Sequence, residues 1–398
     1  MKKIFFCVGI IFVLFSCTSD NGGEVASKVS VIKLPLEKSN MNLKMSDVVD
    51  SICYVSLETD TVCLVGQIDK LIPMDTAFIV VDKDIARSIY VFNREGRFIR
   101  KIGKSGPGPE EYLGIEDVCL DQEKGQIVIL DLKSKHFLIY SLEGEFVKSI
   151  RFDFYAYDIE YVGEDKIAVF LNYGNNASFE KAGNIPTLGI YDLKKEKVVE
   201  LCAYANEKIR SGSMLNLSEN FSSDGMETLF VLPINDTIFN VNSDGISPKY
   251  LLDFGSEQRE LQKEYISCLI KDQPNAIQGA KIVKEMGLAQ VAGLAITEKN
   301  QLFSYQRDGQ IFMAIQNKKT GHVKSLQVSD MSSLVSDMDY VTLFVPYGTD
   351  KDNMYLMVNP YALSELSPDK QTKQTEVLKA SFSEENNPII AVARMKDF

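Results

Sequence analysis

Two stretches of the chain repeat each other. Ser88–Gly96 reads S-I-Y-V-F-N-R-E-G and His136–Gly144 reads H-F-L-I-Y-S-L-E-G. Each follows a short apolar run ending in Asp, A-F-I-V-V-D at Ala77–Asp82 and Q-I-V-I-L-D at Gln126–Asp131. Each precedes one more apolar run, Phe98–Gly103 and Phe146–Phe152. The spacing is 48 residues between Gly96 and Gly144 and 49 between Asp82 and Asp131. A period near 50 built from four short strands describes one blade of a β-propeller. The expected fold class is therefore all-β, a six-bladed β-propeller with a small helical insertion.

The same pattern carries through the chain. Blades are expected over Gly66–Gly103, Gly114–Phe152, Ala156–Tyr204, Asn216–Phe254 and Leu288–Val328. The sixth is assembled from Met338–Pro346, Asn353–Asn359 and Pro388–Met395, one strand short. Ser51–Glu58 from the other end of the chain supplies the missing strand. That closes the ring and leaves no free sheet edge between first and last blades.

Turn chemistry separates two faces. Third and fourth strands are joined tightly, by R-E-G at Arg94–Gly96, E-G at Glu143–Gly144, K-K-E at Lys194–Glu196, S-D-G at Ser243–Gly245 and K-K-T-G at Lys318–Gly321. Glycine supplies the positive φ that such hairpins need. The longer connections Gly103–Leu113, Asn172–Pro186, Ala205–Leu215, Gly255–Gly287 and Ser329–Asp337 fall on the opposite face. Long loops on a rigid scaffold are where binding concentrates, so this face is the expected working surface. The insertion over 256–287 has apolar residues at helical spacing on both sides of Pro274, which predicts a helix pair packed on the blade tops. Another short helix is expected within Asp369–Phe382.

The first 16 residues read as an export signal: Lys2 and Lys3, then the apolar Ile4–Phe15. Leu14-Phe15-Ser16-Cys17 resembles a bacterial lipobox, with Cys17 as the lipidation residue and residues 17–47 as tether and N-terminal extension. Acyl chains on Cys17 would give stable membrane attachment. Thr18 in place of Asp favours the outer membrane, with the domain over 48–398 facing the periplasm or the cell surface. Without the signal, 41 basic side chains stand against 55 acidic ones, a formal charge of −14. Such a chain repels nucleic acid, which is not an expected partner. Besides Cys17, five cysteines remain, most of them read as small apolar strand residues. Cys53 and Cys63 lie on neighbouring strands where a pairing is the alternative. With two histidines and no C-x-x-C or C-x-x-H, neither a metal site nor a cofactor is expected.

Several segments together resemble a known family. They are Y-V-S-L-E-T-D from Tyr54, Gly66-Gln67-Ile68, the loop G-K-S-G-P-G-P-E-E-Y at Gly103–Tyr112, P-I-N-D-T-I-F at Pro233–Phe239 and N-N-P-I-I-A-V-A at Asn386–Ala393. This set is similar to the six-bladed propeller lipoproteins of Bacteroidota, related in outline to NHL and TolB-like propellers. The resemblance covers nearly the whole mature chain and brings no catalytic motif with it.

Gly103–Gly108 looks like a phosphate loop but leads into a strand, whereas a phosphate loop opens a helix. Asp82 and Asp131 are candidates for shared acid–base work; bonding to the amides of the next turn is the commoner role. No G-x-S-x-G is present, so serine hydrolase chemistry is not expected and no catalytic residue is assigned. Candidate contacts on the loop-rich face are Arg87, Tyr112, Tyr173, Arg210 and Arg307, residue types that carry interface energy. The expected function is non-catalytic recognition of a protein, peptide or glycan by the long-loop face of a membrane-anchored propeller. The alternatives are a hydrolase or lyase with an acidic site in the central funnel, and a structural subunit of an envelope complex.

Overall fold

A computed structural model describes residues 29–37, 43–174, 176–209, 219–232, 235–328, 346–358, 363–364, 372–383 and 385–398. They form six antiparallel blades around an axis. From inner to outer strand, blade one is Lys70–Pro73, Ala77–Asp82, Ser88–Asn93 and Phe98–Ile102. Blade two is Asp117–Asp121, Gln126–Asp131, His136–Ser141 and Phe146–Arg151. Blade three is Asp158–Gly163, Lys166–Phe170, Asn184–Asp192 and Lys197–Asn206. Blade four holds Phe221–Ser223, Thr228–Phe230, Thr237–Asn242 and Gly245–Asp253, and blade five Gln290–Ile296, Asn300–Arg307, Gln310–Asn317 and Val323–Val328. Blade six is Gly348–Thr349, Asn353–Met357, Ile389–Met395 and, as its outer strand, Val49–Ser56 from the other end of the chain.

The expected closure is present. Val49–Ser56 pairs antiparallel with Ile389–Met395, from Val49 opposite Met395 to Ser56 opposite Ile389. Leu71 N–H donates to Tyr347 O at 2.8 Å, joining blades six and one at the inner strands. Among the described residues the inner strand of blade six is Gly348–Thr349; the expected strand Met338–Pro346 lies, but for Pro346, outside the described set, as does Cys17.

Why the strands read as continuous apolar runs follows from the packing. Ala77–Asp82 is buried at every position. Phe78 and Val80 point into the cluster between blades six and one, while Ile79 and Val81 point into the cluster between blades one and two. A middle strand thus has no solvent face, and period-two alternation distributes its side chains between two interfaces. Equivalent apolar layers fill the other interfaces.

The N-terminal extension does more than tether. Ser30–Lys33 adds a fifth strand to blade four, parallel to Gly245–Asp253. Ile32 and Leu34 enter the layer between blades four and five, and Leu43, Met45 and Val48 the layer between blades five and six. Tyr305 Oη donates to Pro35 O at 2.6 Å. The expected helices occur at Ser256–Asp272, Ala276–Met286 and Lys373–Ser381. The helix pair is fixed by apolar packing: Tyr265, Leu269 and Val283 meet Tyr173, Ile209 and Leu288. Gln258 pins it further, donating to Gly287 O and accepting from Ala289 N–H.

Candidate functional site

Inner strands of a propeller line its axis, and here several begin with charge. Lys70 opens the inner strand of blade one, Asp117 that of blade two and Asp158 that of blade three. Glu160 lies two residues after Asp158, on the same side of the strand. Glu219 stands just before the inner strand of blade four, and Lys83 just after the second strand of blade one. These six side chains converge. Lys70 Nζ lies 3.0 Å from Asp117 Oδ2, 3.4 Å from Glu219 and 3.8 Å from Glu160. Lys83 Nζ lies 3.2 Å from Asp117 Oδ1 and 3.8 Å from Glu219. Backbone amides complete the network: Ile159 N–H donates to Asp117 and Asn220 N–H to Asp158.

Electrostatics divides the carboxyls. Burial alone would raise Asp117, but attraction to Lys70 and Lys83 and the Ile159 amide outweigh it, so Asp117 titrates below its ordinary value. Burial raises Glu160 to about 7, with Lys70 opposing. Burial also raises Glu219 and Asp158, and neighbouring carboxylates push Asp158 further up. Lys70 sits well above its usual range: burial opposes its charge, and Asp117, Glu219 and Glu160 overcome that. Asp117 is thus the carboxyl held ionised against the two ammonium groups, while Asp158, Glu160 and Glu219 are all pushed towards the protonated form.

Lys70, Glu160 and Glu219 floor a cavity of about 810 Å³. Because successive strands run antiparallel, the first-to-second and third-to-fourth turns share one face, and the inter-blade loops share the other. The cluster lies at the loop-face end of the inner strands. The rim, with Gln122, Gly163, Gly225, Met226 and Glu298, belongs to the tight-turn face. The funnel thus opens opposite the loop-rich face, and no residue of the helix pair lines it. Charge closing one end of the axis, and short turns leaving the other open, account for this difference from expectation.

The sequence-derived contacts lie elsewhere. Tyr112 is 1% exposed, packed between blades one and two with its hydroxyl donating to Arg87 O at 3.3 Å. Tyr173 is 8% exposed and holds the helix pair. Both anchor loops by burial and present no contact surface. Arg87 ends the loop before the third strand of blade one, at φ 49°. Arg307 ends the second strand of blade five, with Nε 3.4 Å from Asp308. Arg210 lies outside the described residues. Beyond the Arg87–Tyr112 contact, the four described positions belong to separate blades.

Other motifs are structural. Asp82 accepts from Gly66 and Gln67 N–H with one oxygen and from Ile85 and Ala86 N–H with the other. Asp131 does the same for Leu113, Lys133 and Ser134. Each ties an inter-blade loop to the loop of its own blade. In Gly103–Tyr112, Glu111 takes the Gly108 amide at 3.0 Å and pairs with Lys104 at 3.2 Å, the position an anion would need. A Cβ at Gly106 would displace the Glu111 carboxylate from this position. Cys53 and Cys63 are free thiols. Among the described residues no group of three or more His, Cys, Asp or Glu is placed to hold a metal ion.

Comparison with known proteins agrees with the architecture. A family model, the domain of unknown function DUF4934, matches residues 29–394. A Bacteroides fragilis protein described as exported superimposes with a TM-score of 0.74 at 17% identity, over 92% of this chain and 100% of that one. A DUF4221 family member from Bacteroides vulgatus superimposes with a TM-score of 0.52 at 8% identity, over 90% and 99%. No curated protein matches the chain.

Proposed function

The chain belongs to the DUF4934 family, and we propose that it is an exported, lipid-anchored propeller that recognises a protein, peptide or glycan without catalysis, holding it in the axial funnel. One observation carries this: the funnel encloses about 810 Å³, and Asp117 beneath it is engaged by two lysines and a backbone amide. A general acid or base needs a proton-transfer group free to meet its substrate. Here Asp117, the most acidic carboxyl of the floor, has no solvent exposure and is engaged by two lysines. The volume lies within the range of ligand pockets. Export is supported by the basic and apolar start of the chain, and anchoring by Cys17. No helix among the described residues is long and apolar enough to cross a membrane.

Two measurements test this. Cys17→Ser should move the protein from the membrane to the soluble fraction, and unchanged retention rejects the anchor. A ligand captured from native envelopes should protect the Gln122–Glu123 and Asp224–Glu227 amides from hydrogen exchange. Protection confined to Gly103–Leu113 and Asn172–Pro186 would return the site to the loop face.

A further inference from the structure

We infer that the funnel receives an alkylammonium group, carried by a free amine or by a lysine side chain of a peptide. This rests on the funnel being the ligand site, and it starts from the charge that lines it. Six carboxylate residues line the cavity, against three lysines and no Arg or His. The lysines are already engaged. Lys70 is on Asp117 at 3.0 Å, Lys318 is on Asp224 and Glu227 at 3.2 Å each, and Lys249 is on Glu227. An anionic ligand therefore meets no unpaired cation, while a cationic one meets a surplus of carboxylate.

The floor adds a specific deficit. Among the described residues, the cations that Asp117, Asp158, Glu160 and Glu219 surround are Lys70 and Lys83. Glu219 Oε1 is shielded from water and accepts no hydrogen bond from the described residues, with Lys83 Nζ 3.8 Å away. Glu160, which lines the cavity beside it, meets Lys70 only at 3.8 Å. Both lie within 4 Å of the same Lys70 nitrogen, so their carboxylates are at most about 7 Å apart. An ammonium ion offers three N–H donors on one small centre and reaches two such acceptors with a modest side-chain shift. A ligand ammonium would bring to this floor positive charge beyond that of Lys70 and Lys83.

The experiment is a calorimetric titration of the folded, signal-free chain. The probes are 1,5-diaminopentane, an N-acetylated Gly-Lys-Gly amide, 1,5-pentanediol, glutarate and tetramethylammonium. One saturable site is expected for the diamine or the peptide, and whichever binds tighter identifies the source of the amine. The diol, glutarate and tetramethylammonium, which lack charge, the right sign or N–H donors, should not bind. Binding at pH 6, where Glu160 is largely protonated, should release protons into the buffer. Glu160→Gln should weaken it about tenfold or more. Met226→Trp, at a rim residue that is 74% exposed, should do the same without touching the floor. It serves if the floor variant does not fold. Absence of saturable binding by both amines up to about 10 mM overturns the inference. So does equal binding of the diol, or binding unchanged in both variants. If the amines fail while an envelope ligand still protects the funnel rim, only the ammonium assignment falls. Protection confined to the loop face removes the funnel reading as well.

Discussion

Lys70 and Asp117 come from neighbouring blades, 47 residues apart, and meet at 3.0 Å where the Asp117 side chain has no solvent exposure. Each stands at the first position of its inner strand, so the pair is a bond between equivalent points of two repeats. Lys83 reaches the other oxygen of the same carboxylate, and the Ile159 amide of the third blade completes it. One carboxylate thereby joins three blades at the axis.

Asp117→Asn should therefore destabilise the protein by about 3–5 kcal/mol, since it strips two buried lysines of their strongest partner. The neutral amide keeps the shape, so the loss is electrostatic and not a cavity. Urea unfolding monitored by far-UV circular dichroism measures it. A loss below about 1 kcal/mol would mean that Glu219 and Glu160 carry the lysines by themselves.

Glu160 yields a pH prediction of definite sign. Its folded-state value is about 7 against an ordinary 4.5. Between those values the folded chain binds more protons here than the unfolded chain. The contribution of Glu160 to stability is therefore full below pH 4.5 and falls as pH rises towards 7. Glu160→Gln cannot ionise and escapes that loss. Its melting temperature relative to the unsubstituted protein should rise between pH 5 and pH 8, by the equivalent of about 3 kcal/mol at most. A difference that stays flat across this range would show that Glu160 remains ionised throughout.

Ring closure predicts the effect of truncation. Removing residues 388–398 takes away the strand between Val49–Ser56 and Asn353–Met357 and uncovers both of its neighbours. Ile390 and Ala391 also leave the apolar layers on either side of blade six. Deletion should lower the melting temperature of the whole domain in one transition and promote association through the exposed edges. A truncated chain that melts where the full one does would show that blade six is dispensable.

Much of this architecture is legible in the sequence because its signals are local. The Asp that ends the second strand of blades one and two, the glycine in four of the five tight turns and the helical spacing around Pro274 lie within a few residues of what they control. Gly96 and Gly144 do have positive φ; Glu196 takes the same conformation without being glycine. The floor of the funnel is not local. Lys70, Asp117, Glu160 and Glu219 are single charges in or beside apolar strands, and only the ring brings them together. A signal did exist: the inner strands K-L-I-P, D-V-C-L-D and D-I-E-Y-V-G each open on a charge where a buried strand should carry none. Ser30–Lys33 escaped notice because it follows a polar stretch and is only four residues long. Tyr112 and Tyr173 read as surface contacts because tyrosine carries interface energy, whereas here each is the buried aromatic anchor of its loop.

The pairing of Ser56 with Ile389 spans 333 positions, and it imposes an order in time. As the chain is made, Val49–Ser56 exists long before its partner does. It must wait, unpaired and apolar on part of its surface, until the last ten residues arrive. Contacts of such sequence separation form slowly, because the loop entropy is spent before any bond rewards it. A half-made chain therefore cannot complete this fold, and the exposed first strand is the segment that a folding helper in the cell would have to shield.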